Sequence, residues 1–139
     1  MYKIEEKPYG LHITMGSLYA PDEMKNYIKE KELALKKYVQ GYSLFVDLRS
    51  AIPPNEEDAE LLRDSQARSD EKLIRQVLIT HSPVVRQRAN QLIISGPIQE
   101  RTRIINSAVT KNWHEMAMRW ILEGVEPEEI QSQEFETKI

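Results

Sequence analysis

Asp47, Arg49 and Ser50 close the run "LFVDLRS", and His81 and Ser82 sit in "LITHSP"; by type, these are the side chains best suited to chemistry in this 139-residue chain. A nucleophilic triad needs a serine, a histidine to take its proton and an acid to orient that histidine. Ser50, His81 and Asp47 supply those types. There is no G-x-S-x-G elbow to present the serine, and the five glycines fall at turns and helix ends. An enzyme is therefore not expected, and a hydrolase built on Ser50 is the outlying alternative. The histidines His12, His81 and His114 are scattered, without an H-x-x-x-H or H-E-x-x-H pair, so no metal site is expected. The chain has no cysteine, which excludes disulfides, cysteine-ligated zinc and a cysteine nucleophile. "LITHSP" lacks the glycines of a phosphate-binding loop, and no cofactor is expected.

The elements that must position these residues can be read from the apolar period. Tyr2, Ile4, Leu11, Ile13 and Met15 alternate around a turn at residues 7–10, which predicts a hairpin of two strands. Met24, Tyr27, Ile28, Leu35, Tyr38 and Val39 recur at helical spacing, with Pro21 suited to the first helical position and Gly41 to the close. "YSLFVDLR" reads as a buried strand. Asn55 can cap a second helix over 55–72, whose apolar face is poor: Ala59, Leu61 and Leu62. "LIRQVLIT" is the next strand. Ser82 and Pro83 open a third helix carrying Val85, Ala89, Leu92 and Ile93, which Gly96 and Pro97 stop. "RTRIINSA" gives a strand resting on Ile104 and Ile105. In the last helix, Asn112 and Glu115 stand as a capping box would, and Gly124 fits its left-handed end. Trp113, Met116, Ala117, Trp120 and Ile121 share one face of that helix. The stripe is expected to be core; a protruding part would make a homodimer or partner contact.

Strands that alternate with helices pair in parallel through right-handed crossovers. The expected fold is a single α/β domain over 1–125, a mixed sheet of about five strands with four helices, followed by an acidic, flexible tail over 126–139. Parallel strands end on one edge, where open α/β sheets bind ligands. Asp47, Arg49, Ser50, His81, Ser82 and Asn106 would meet there, beside helix N-termini, in a crevice for a small anion or lipid-like molecule. The same residue types are what caps and turns require, so shaping those turns is the competing role.

This layout resembles the STAS-like superfamily, small α/β domains similar to bacterial anti-sigma-factor antagonists. The likeness is carried by the opening hairpin with "YGLHITMGSL", by "LFVDLRS", by "IRQVLITHSP" and by the tryptophan-bearing "HEMAMRWILEGVEP", and it spans most of residues 1–125. It implies a non-catalytic, regulatory role through contact with another protein. In the antagonists, the helix corresponding to the second one here belongs to the partner-binding face, which points to Arg63, Asp64 and Arg68. The antagonists also carry a phosphorylated serine in a D-S-S-G-like context; "RSAIPPNEEDAE" lacks the paired serines and the glycine, and Glu56, Glu57 and Asp58 would repel a phosphate. The phosphoswitch is not carried over.

The net charge is -3 and no basic cluster occurs, which argues against nucleic acid as a partner. No apolar run approaches a membrane span, and "MYKIEEKPYG" lacks a signal-peptide pattern, so a cytoplasmic location without membrane insertion is expected. The sequence thus leads to a protein-interaction module whose partner is another protein or a second copy of itself, with small-ligand binding at the strand-end crevice as the alternative.

Overall fold

A computed structural model describes residues 1–18, 20–92 and 97–127. Two antiparallel strands, β1 (Tyr2–Lys7) and β2 (Gly10–Met15), form the predicted hairpin. Helix α1 (Glu23–Leu35), strand β3 (Tyr42–Asp47), helix α2 (Glu56–Ser69) with a 3-10 turn (Asp70–Lys72), and strand β4 (Leu73–Thr80) follow. The chain continues through α3 (Pro83–Leu92), the short α4 (Pro97–Arg101), strand β5 (Thr102–Asn106) and α5 (Trp113–Glu123). The sheet order is β1-β2-β3-β4-β5, and every pair after the hairpin is parallel. The expected α/β fold with a mixed five-stranded sheet is the fold observed, with α4 added to the four longer helices.

A sheet that grows in one direction through right-handed crossovers must put every crossover helix on the same face. Helices α1 to α4 accordingly share one face, and α5, which follows the last strand, takes the other. Strand pleating divides the side chains in the same way. Leu11, Ile13, Tyr42, Leu44, Val46 and Leu78 turn to the crossover helices, whereas Phe45, Val77, Ile79 and Ile105 turn to Ala117, Trp120 and Ile121 of α5. The tryptophan stripe is thus mainly core: Trp120 is buried and donates its Nε1–H to the Gln76 carbonyl at 2.9 Å, while Trp113 and Met116 are partly covered. No helix of the described residues is long and apolar enough to cross a membrane.

Local signals succeeded where one residue sets the geometry. Asn55 Oδ1 accepts the Asp58 N–H at 2.8 Å as a cap should, and Gly124 ends α5 at φ 71°. Others need correction. Helix α1 starts at Glu23, after Asp22 in a left-handed conformation (φ 65°), so Pro21 precedes the helix instead of opening it. Gly41 lies beyond the helix, in the turn into β3, where its N–H donates to the Tyr38 carbonyl. Asn112 makes no side-chain cap bond, and Glu115 pairs with Arg119 at 3.2 Å, so the capping box is not formed. Ile93, Gly96 and the tail beyond residue 127 lie outside the described residues.

Candidate functional site

The rim of the parallel strands gathers the predicted polar cluster. In the β3–β4–β5 register Asp47 pairs with Ile79 and Thr80 with Asn106, which brings residues 47, 81 and 106 to one edge. Most of these side chains, however, already hold a hydrogen bond to a nearby turn or helix residue. Asp47 Oδ1 accepts the Arg49 backbone N–H and its Nε–H, each at 3.0 Å, and Oδ2 accepts Nη2–H at 2.8 Å. Burial pushes the Asp47 carboxyl up, but the bonds from Arg49 outweigh it and hold the group below its ordinary range. The Arg49 guanidinium lies 4.3 Å from the Trp113 ring centroid, so this pair ties the exit of β3 to α5. Ser107 Oγ donates to the Thr80 carbonyl at 2.9 Å, which leaves it to accept from His81 Nδ1 at 3.2 Å. Ser82 Oγ takes the Val85 N–H at 3.5 Å, and Asn106 Oδ1 takes the Ala108 N–H at 3.0 Å. Ser50 is exposed. Asp47 is thus bonded to Arg49 and His81 to Ser107, and neither bond belongs to a triad. Among the described residues, no group of three or more His, Asp or Glu side chains could hold a metal ion.

The room for a ligand lies elsewhere, beneath the crossover helices. A cavity of about 420 Å³ opens between the sheet and α1, α2 and α3, within the size range of small-molecule sites. Its floor is Met15, Leu44, Val46 and Leu78; its walls include Tyr27 and Lys31 of α1, Leu62 of α2, and Val85 and Ala89 of α3. The cavity follows from the sequence of α2. Among its described side chains, that helix buries only Ala59 and Ser65, and it packs on α1, so it has too little apolar volume to fill the space above the strands. Of the rim residues proposed from sequence, none lines the cavity; the adjoining loop does, through Ala51, Ile52, Pro53, Pro54 and Asn55.

Lys31 is the functional candidate that the sequence reading missed. It is 5% exposed, and burial pushes its ammonium down to about 8. Among the described residues its Nζ has no hydrogen bond or ion pair, and it stands 5.5 Å from the Tyr27 ring centroid. Glu32, the adjacent acid, is turned to Arg68 at 2.7 Å and Ser65 at 2.9 Å. The signal was present: 24, 27, 28, 31 and 35 fall on one helical face, and residue 31 is the one cation among them.

On the outside of α2, Arg63 and Asp64 are exposed, Arg63 pairs with Glu60 at 3.4 Å, and Arg68 is drawn back onto Glu32. No protein-family model and no curated protein matches the chain.

Proposed function

We propose that this chain is a non-catalytic binding module of STAS-like layout that holds a small, largely apolar molecule in the cavity beneath α1, α2 and α3. The observation that carries this reading is the cavity itself: about 420 Å³, walled mainly by aliphatic side chains. A void of that size forfeits packing contacts, and a ligand that fills it recovers them. The bonding of Asp47 to Arg49 and of His81 to Ser107 supports binding in preference to catalysis. Titration with the neutral, environment-sensitive dye Nile red should give saturable fluorescence enhancement. Ala89→Leu, which adds bulk to the wall, should weaken that binding while leaving the fold intact. Saturable binding unaffected by Ala89→Leu would place the dye elsewhere and count against the cavity.

A second reading has its own support. Helix α2 is polar on its outer side, with Arg63 and Asp64 exposed, and it forms part of the cavity wall through Asp58, Leu62 and Gln66. A protein partner, or a second copy of this chain, that docks on α2 would sense whether the cavity is filled. Reversing Arg63 and Asp64 should then abolish partner capture without changing the thermal midpoint; capture that survives the reversal would remove this surface from consideration.

A further inference from the structure

We infer that the cavity takes an amphipathic molecule with one anionic head, of which a carboxylate is the simplest, and that Lys31 and Tyr27 receive that head. The inference rests on the cavity being a ligand site and adds the chemical class of its occupant.

A lysine is almost never buried without a partner, because removing an ammonium from water is costly unless an anion or several acceptors replace the solvent. Lys31 is buried at 5% exposure and lines the cavity, and among the described residues no acceptor reaches its Nζ. The acid beside it in sequence does not serve, since Glu32 Oε2 accepts from Ser65 Oγ and from Arg68 Nε and Nη2. Tyr27, one turn earlier on the same face of α1, is also buried and lines the cavity, and among the described residues its hydroxyl has no hydrogen-bond partner. Two donors therefore stand side by side on one helix at the wall of an otherwise apolar space. Depressed to about 8, the ammonium is still mostly protonated at neutral pH, so the pair offers a charge and a hydroxyl proton.

The other charged side chains on the wall fix the polarity of the site. Arg88 is engaged, donating to the Pro54 carbonyl at 3.1 Å and lying 3.6 Å from Glu56. Asp58 stands in the first turn of α2 and would repel an anion. A negative head is thus favoured at Lys31 and disfavoured at Asp58, and the aliphatic floor of Leu44 and Leu78 suits the tail.

The test compares decanoate with decanol, which share a tail and differ in the head, by calorimetric titration of the full chain. The wild type should bind decanoate roughly tenfold more tightly than decanol, the gain of a charge-assisted hydrogen bond in a desolvated site. Lys31→Met should erase that preference; Tyr27→Phe should weaken decanoate by a smaller factor. Equal binding of the two molecules to the wild type, or a preference that survives Lys31→Met, would overturn the anchor while leaving the cavity a ligand site. Binding of neither would overturn both.

Discussion

Replacing Lys31 with methionine keeps the length of the side chain and removes its charge. In most proteins, the loss of a lysine interaction is neutral or harmful; here it should stabilise the fold. Burial lowers the Lys31 ammonium from the ordinary 10.5 to about 8, and the residue is 5% exposed. At about 1.4 kcal/mol per pKa unit, the folded protein carries a penalty of about 3 kcal/mol for holding this proton. Below pH 8 both the folded and unfolded chains are protonated at Lys31, and the penalty is present in full. Between about 8 and 10.5 the unfolded chain binds a proton that the folded one has released, so wild-type stability rises with pH through that window. Lys31→Met lacks this term. Urea denaturation should therefore show the variant about 3 kcal/mol more stable than the wild type at pH 7, a shift of about 1 M or more in midpoint for a typical denaturant slope. The gap should close as pH approaches 10.5. A variant no more stable than the wild type at pH 7, or a gap that does not change with pH, would refute the reasoning and mean that the ammonium is solvated or paired in the folded protein.

Asp47 titrates with the opposite consequence: its carboxyl lies below the ordinary 3.8 in the folded chain, so its stabilising contribution is present at neutral pH and is lost as pH falls through the lower folded value. Asp47→Asn should flatten acid denaturation relative to the wild type below pH 4, and equal acid profiles for the two proteins would deny the Arg49 tie. At Gly10, where φ is 146°, a Cβ would come within 2.0 Å of the Ser43 carbonyl oxygen in the adjacent strand. Gly10→Ala should therefore cost about 1–3 kcal/mol or more in thermal or chemical unfolding, and a loss below about 0.5 kcal/mol would contradict the close approach of β2 to β3.

The sheet and its helices were legible because each depends on a local period or a single capping residue. Alternation in Leu11, Ile13 and Met15, the compact run "LFVD" and the cap at Asn55 all report on neighbours in sequence. Where a side chain had a competing partner, the local rule failed: Glu115 meets Arg119 and leaves Asn112 uncapped. The rim was legible as a place and misleading as a site. Parallel strands do bring Asp47, His81 and Asn106 together, but whether their atoms are free depends on Arg49, Ser107 and Ala108, which the turns supply. The cavity was not legible, because it is a shortage of volume shared among α1, α2, α3 and the sheet. Its traces in the sequence are the poor apolar face of α2 and a lysine inside the apolar stripe of α1.

The most direct measurement is methyl NMR of the labelled chain titrated with decanol, since it reports on the two cores separately. Saturable shifts are expected for Leu44, Val46, Leu78 and Val85, which line the cavity, with little change at Val77, Ile79, Ile105 and Ile121 beneath α5. Shifts confined to exposed methyls such as Leu33 and Val39, or spread equally over both cores, would contradict it.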